Sequence, residues 1–318
     1  VARPDPSNDR LLLRVAQLYY ERGLTQAEIA NRVHVTRWKV GRLLEEARQT
    51  GIVRIEIVHR YARCHAEERQ LKEVFGLEDV LVVPSAESLK TTRRNVAAAG
   101  AEYLADLRPQ PRVLAVSWGQ TMDDLADQIP PGWARGVTVV QANGGLNRTG
   151  RTPAITASVE LARQGVGNAL YLPAPAIVES AALGKALSND PSVRKVLEIA
   201  RNADVILSSV GAMTKDAVLI GSGYLTEADM IDLKNRGAVG DIFARFMDSI
   251  GNTIDIDLDA RTIGLTLEDL RAAKLTINVS AGMEKLHTAL AALRGGMIKV
   301  FICDQELARA LVAQDTAE

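Results

Sequence analysis

The sequence predicts an α/β protein in two parts: an N-terminal helix-turn-helix, winged-helix-like domain over residues 1–60, and a Rossmann-like domain over 77–318, with a charged helical linker over 61–76. Three observations predict it. Positive charge is concentrated at the N-terminus of a chain that is otherwise acidic. Apolar residues recur at helical spacing through the first fifty positions. Beyond Gly76, short apolar runs alternate with helical segments, the pattern of a mainly parallel sheet covered on both faces.

At 318 residues the chain is long enough for two domains. Hydrophobic residues make up 47% and aromatics only 4%, so the core is expected to be Val, Leu, Ile and Ala. The formal net charge is −1, but residues 1–60 carry 11 Lys and Arg against 7 Asp and Glu, and the remainder 27 against 32. A basic head on an acidic body suits a DNA-binding element attached to a domain that avoids DNA. Cys64 and Cys303 are far apart and His34, His59, His65 and His287 are scattered. Although His59 and His65 flank Cys64, no metal site, disulfide framework or cofactor is expected. No apolar run approaches the ~20 residues of a membrane span. Val1–Arg10 lacks the apolar segment of a signal peptide. The expectation is a cytoplasmic protein without a membrane partner.

In the head, Leu11 to Tyr20 reads as a helix with Leu11, Val15, Leu18 and Tyr19 on one face, ended by Gly23. Thr25 and Glu28 have the spacing of a capping box for a second helix, which runs to about Val33 with Ile29 and Ala30 inward. After a tight turn at His34-Val35, Thr36 suits the N-cap of a third helix, Arg37 to Arg48, burying Val40, Leu43 and Leu44. Two helices around such a turn are the core of a helix-turn-helix, whose second helix lies in the major groove. Arg37, Trp38, Lys39 and Arg42 are the exposed candidates there, with Thr36 opening the helix and Gln26 placed for a backbone contact. Arginine pairs bidentately with guanine, whereas Lys39 suits a phosphate. A helical module with a solvated basic face is the competing reading. Ile52 to Ile57 alternates apolar and charged residues, the pattern of a half-exposed strand forming a wing.

In the body, strands are expected at Val80–Val83, Arg112–Ser117, Val137–Gln141, Ala169–Leu172, Asp204–Ser208, Leu275–Val279 and Ile298–Ile302, with helices at Leu89–Leu107 and from about Thr121. Ligands of such sheets bind beyond the carboxyl ends of the strands, and four loops stand out. Ser117-Trp118-Gly119-Gln120-Thr121 follows a strand and opens a helix, where backbone N–H groups and the Thr121 hydroxyl suit a phosphate. Gln141-Ala142-Asn143-Gly144-Gly145 reads by itself first as an ordinary turn, since Asn143-Gly144 is a turn signal in its own right. In Gly237-Ala238-Val239-Gly240-Asp241 the carboxylate suits a sugar hydroxyl or, equally, a helix cap. Val279-Ser280-Ala281-Gly282-Met283-Glu284-Lys285 puts a cation one turn into a helix, where it meets an anion or simply faces solvent.

The head runs Thr25-Gln26-Ala27-Glu28-Ile29-Ala30 and Thr36-Arg37-Trp38-Lys39-Val40-Gly41-Arg42-Leu43-Leu44 resemble the N-terminal domain of the SorC family of bacterial sugar-responsive regulators. That family often has Ser where Gly41 stands. The four loops, with Gly240-Asp241-Ile242 and Phe301-Ile302-Cys303-Asp304, resemble its effector domain, which is similar in fold to sugar-phosphate isomerases and deaminases. The resemblance covers nearly the whole chain. It implies that Gly119, Thr121 and Lys285 hold the phosphate of a sugar phosphate, that Asp241 meets its hydroxyls, and that Gln141 and Asn143 lie near the sugar. Ser117, Trp118, Gln120, Gly144 and Gly282 complete the candidate effector site. The family usually has two glycines before the lysine; here Met283 follows Gly282.

The expected function is therefore a DNA-binding transcriptional regulator of carbohydrate genes. A phosphorylated sugar would control its grip on double-stranded operator DNA, and it would act as a homo-oligomer, dimer or tetramer. A sugar-phosphate isomerase or deaminase, with Asp241 or Glu284 as general base, is the alternative. No acid–base pair falls on one loop, and such an enzyme needs no DNA-binding head. A DNA-binding protein with an inert body is the third reading, and the Gly-rich loops at strand ends argue against it.

Overall fold

The structure is a computed structural model that describes residues 6–53, 63–146 and 156–315. It divides into two compact units, Val1–His59 and Arg60–Glu318. In the first, α1 (Pro6–Ala16) runs into a π-helical turn (Gln17–Glu21), followed by α2 (Gln26–Val33) and α3 (Arg37–Gln49). Leu12, Val15, Leu18, Ile29, Val40, Leu43 and Ala47 form its core. The face of α1 differs from expectation at two positions. Leu12 is buried and Leu11 only partly so, while Tyr19 is 37% exposed. The wider π turn after Ala16 breaks the 3.6-residue spacing that would have placed Tyr19 inside.

The chain ends of these helices follow the sequence closely. Thr25 N–H donates to the Glu28 carboxylate (2.8 Å), and Glu28 N–H donates to Thr25 Oγ1 (3.3 Å), closing the capping box. His34 takes a left-handed conformation (φ 56°) in the tight turn, and Thr36 accepts Lys39 N–H at 3.2 Å. Ile52 and Val53 lie in a bend; the remainder of the expected wing strand lies outside the described residues.

The second unit opens with α4 (His65–Phe75). This stretch, expected as a connector, is helical but packed: Leu71 is fully buried in the body's core, and Glu68 accepts Val82 N–H at 3.0 Å. The strands are β1 (Asp79–Val83), β2 (Val113–Val116), β3 (Thr138–Gln141), β4 (Asn168–Leu170), β5 (Val205–Ser208), β6 (Gly211–Ala212), β7 (Gly240–Ile242), β8 (Arg245–Met247), β9 (Thr276–Ser280) and β10 (Val300–Asp304). Among the described residues, seven form one parallel sheet in the order β1-β10-β9-β5-β2-β3-β4. Its central strands β5, β9 and β10 are buried at every position, as both-face coverage requires. The coverage includes α5 (Leu89–Asp106) and α6 (Gln120–Ala126), which pack together over β2 and β9.

The chain runs outward from β2 to β3 and β4, then returns to β5 on the other side of β2. This reversal opens a crevice between β2 and β5, beyond their carboxyl ends. The expected Gly237–Asp241 loop is different. It leads into a separate antiparallel sheet, β6-β7-β8, with Asp241 inside β7. Glycines hide this strand from a β-propensity reading. They are required by contact: a Cβ on Gly240 would meet Thr288 Oγ1 at 1.9 Å, and one on Gly211 would meet the Asp241 carboxylate at 2.1 Å. Asp241 caps no helix; it accepts Ala244 N–H at 3.0 Å across a hairpin whose two central residues, Phe243 and Ala244, both have positive φ. No helix among the described residues is long and apolar enough to cross a membrane.

Candidate functional site

A cavity of about 420 Å³ occupies the crevice. The turn after β2 supplies Ser117 to Thr121, the end of β3 supplies Asn143, the segment after β5 supplies Ser209 to Ala212, and the turn after β9 supplies Ala281, Glu284 and Lys285. The small sheet adds Asp241 and Phe243, and α5 adds Leu89 and Arg93.

Lys285 is the charged centre of this cavity. It lies in a 3-10 turn (Met283–Lys285) just ahead of the helix Leu286–Arg294, rather than one turn inside it. Its Nζ donates to Ser209 Oγ at 2.7 Å and to Thr121 Oγ1 at 3.3 Å. Burial pushes its pKa down to about 8, only partly offset by the Glu284, Asp241 and Asp304 carboxylates. Burial likewise raises Asp241 to about 6, against the Ala244 N–H and the Lys285 charge. The two groups are thus pulled toward neutrality from opposite sides, and an anion or a set of hydroxyls entering the cavity would relieve each. Arg93 brings a second cation to the wall, its Nε donating to Asp124 (2.6 Å) and its Nη1 to Gln120 (2.8 Å).

Polar groups are also aimed without protein partners. Ser117 Oγ and both amide atoms of Asn143 are buried and unpaired, and both residues line the cavity. Such groups are costly unless a ligand or water meets them. Asn143 is held by backbone: it bridges Gly264, and Gly144 N–H donates to Ile263 at 2.9 Å. Arg245, 4% exposed, clamps that strap by donating to the carbonyls of Thr262 (2.9 Å), Gly264 (3.2 Å), Leu265 (3.2 Å) and Asp259. Trp118 is fixed by its indole N–H on Gly144 O at 3.1 Å, so its ring forms a set wall.

Ser117, Trp118, Gly119, Gln120, Thr121, Asn143, Asp241 and Lys285 all line this cavity. Gln141, Gly144 and Gly282 do not line the cavity. Gln141 is buried at the end of β3. Gly144 is pressed against Pro175, whose carbonyl oxygen would lie 2.2 Å from an added Cβ. Gly282 donates its N–H to Asp304 (2.8 Å) and shapes the turn with φ 96°. Arg93 and Ser209 were missed. Arg93 sits mid-sequence in an ordinary helix and gives no local signal. The Ser208-Ser209 pair at the carboxyl end of an apolar run was a usable one.

In the head, Trp38 is 72% exposed and the Arg42 guanidinium lies 5.1 Å from its ring centroid. At 100° per residue, Trp38 and Arg42 point directly away from the buried Val40–Leu43–Ala47 stripe, and Arg37 and Lys39 project to either flank. Gln26 Oε1 approaches Gly41, leaving ordinary van der Waals room (3.7 Å) for a side chain there.

Residues 59–313 match the family described as "Putative sugar-binding domain". The chain is 32% identical over 311 residues to the deoxyribonucleoside regulator of Bacillus subtilis (strain 168), covering 97% of this chain and 99% of that protein. It is 31% identical over 312 residues to the transcriptional regulator LsrR of Enterobacter sp. (strain 638), covering 96% and 94%. The crystal structure of the full-length sorbitol operon regulator SorC from Klebsiella pneumoniae superposes with a TM-score of 0.72 at 27% identity, covering 98% of this chain and all of that one.

Proposed function

Because the chain belongs to the SorC-type family of sugar-binding transcriptional regulators, we propose that its cavity takes a phosphorylated sugar or polyol and that occupancy sets the head's affinity for operator DNA. The relatives are regulators, not enzymes. The observation that carries the proposal is the amine of Lys285, desolvated beside the Thr121 and Ser209 hydroxyls in a cavity that also holds Asp241 and an unpaired Asn143.

A phosphate dianion accepts from the Lys285 amine and the Thr121 hydroxyl, with Arg93 adding field from the wall. Asp241 accepts and Asn143 donates to sugar hydroxyls. Ser117 adds a hydroxyl, and the Gly119–Gln120 backbone at the head of α6 lies alongside. Regulation requires two arrangements of the protein that bind the ligand with different affinity. On DNA, Arg42 and Trp38 face base edges, with Arg42 suited to guanine and Trp38 to an apolar contact. Arg37, Lys39 and Gln26 hold the backbone on either side, and Thr36 sets the helix start. One such head offers few contacts, which favours a dimer or tetramer on the operator.

The test is a thermal-shift screen of sugar phosphates against their unphosphorylated parents. A hit that needs the phosphate, is lost in Lys285→Ala and Thr121→Ala, and leaves DNA binding by those variants intact supports the proposal. Equal shifts by the unphosphorylated parent, or an undiminished shift in Lys285→Ala, would refute the phosphate assignment.

A further inference from the structure

Beneath the cavity, the hydrogen bonds that reach Lys285 form a chain with one direction. The ammonium only donates, so Ser209 Oγ accepts from it at 2.7 Å and must send its own proton elsewhere. Ser280 Oγ is within reach at 3.3 Å. Ser280 has a single proton, and that proton goes to Asn278 Oδ1 at 2.8 Å, an atom that can only accept. Ser280 is therefore the acceptor for Ser209, as it is for Val210 N–H at 3.3 Å. The Asn278 amide nitrogen, on the side of the amide away from Ser280, donates to Ser208 Oγ at 3.1 Å. Ser280, Asn278 and Ser208 are 0%, 1% and 2% exposed, so bulk water does not compete with these bonds.

We infer that Ser280 and Asn278, which do not line the cavity, are positioning residues for the anion-holding amine: they fix Ser209 as an acceptor, keep Lys285 a cation and leave its third N–H for the ligand. This rests on Lys285 being the anion-holding group of the proposed function. It assigns different roles to the two hydroxyls beside the amine. Ser209 has its proton committed inward and orients Lys285 without donating to the ligand. Thr121 accepts from Lys285 and keeps its own proton for the anion. With Ser280 removed, Ser209 loses its acceptor and is free to donate to a neutral amine, which favours deprotonation of Lys285. The other charged groups facing Lys285 are Glu284 in its own turn, Arg93 on α5, Asp241 on β7 and Asp304 at the end of β10, and the variants below alter none of them.

The test uses the full chain without its sugar ligand. Trace acetylation across pH, read at Lys285 by mass spectrometry, follows the titration of this one amine. Wild type is expected to turn near pH 8. Ser280→Ala should turn about one pH unit lower, the equivalent of one hydrogen bond. Ser208→Ala removes a bond of the same buried network on the far side of the Asn278 amide and should leave the midpoint in place. Circular dichroism confirms that both variants are folded. An unmoved midpoint in Ser280→Ala, or equal movement in Ser208→Ala, overturns the inference. Sulfate, whose charge is constant over this range, is added in a parallel arm. Failure of sulfate to protect Lys285 in the wild type counts against the phosphate assignment, independently of whether the Ser280→Ala midpoint moves.

Discussion

Replacing Lys285 with methionine should make the ligand-free protein more stable at pH 8 and erase that advantage by pH 10. Methionine has the length of the lysine stem and no charge. Lowering a lysine from its ordinary 10.5 to about 8 means that the folded state holds the charged amine about 3 kcal/mol less well than the unfolded chain does. That cost is present while both states are protonated. Between the two pKa values the unfolded chain binds more protons, so wild-type stability rises with pH, by about 2 kcal/mol from pH 8 to pH 10. The hydrogen bonds to Thr121 and Ser209 are also lost in the variant, each costing about 1 kcal/mol, and this part does not vary with pH. Starting at pH 8 keeps the comparison above the titration of Asp241. Urea unfolding of both proteins at pH 8, 9 and 10, followed by the fluorescence of Trp118 and Trp133 in the body, gives the difference directly. A difference constant to within about 0.5 kcal/mol across that range would show that the amine is not desolvated and would remove the electrostatic basis of the site.

Further outcomes follow from the same geometry. Arg42→Ala should cost about 1–3 kcal/mol on the operator and relax preference at one base pair, whereas Lys39→Ala should weaken all DNA alike and reduce the salt slope by about one; binding titrations at several salt concentrations on operator and scrambled duplex separate the two, and equal behaviour refutes the division of roles. Asp241→Asn should weaken the sugar-phosphate hit about 10- to 100-fold at pH 7.5. It should also flatten the fall in affinity expected of the wild type below about pH 6, where the Asp241 carboxylate protonates and ceases to accept from hydroxyls; calorimetry from pH 5 to 8 reads both. Arg245→Met leaves three buried carbonyls, the half-buried Asp259 carbonyl and the Asp259 carboxylate without their partner and should cost about 3 kcal/mol in urea. A loss below about 1 kcal/mol would mean that the strap behind Asn143 is held by backbone alone.

Local chemistry carried much of the fold in readable form. Thr25, Glu28 and Thr36 marked helix starts because capping bonds span only three residues. The runs that became β2, β5 and β10 were legible because strands covered on both faces are nearly all apolar. Tyr19 was misplaced because a π turn is a departure from regular spacing that no residue type announces. The β6-β7-β8 sheet was invisible because its glycines are there for close approach to Thr288 and Asp241, partners remote in the chain.

The site divides the same way. The sequence by itself determined that polar loops stand at the carboxyl ends of β2, β3 and β9, and it marked Thr121, Asn143, Asp241 and Lys285, because each sits beside a glycine or a strand end that can be recognised locally. Only the tertiary structure decided that these four face one cavity between β2 and β5, and that Gln141, Gly144 and Gly282 stand outside it. It alone brought in Arg93 from α5, and it alone joined Lys285 to Ser209, Ser280 and Asn278. The physical reason is range. Capping and patterning act within a turn or a strand. The hydrogen bonds that orient Lys285 act between residues more than seventy positions apart in the chain, and the burial that lowers Lys285 and raises Asp241 exists only once the chain has folded around the cavity.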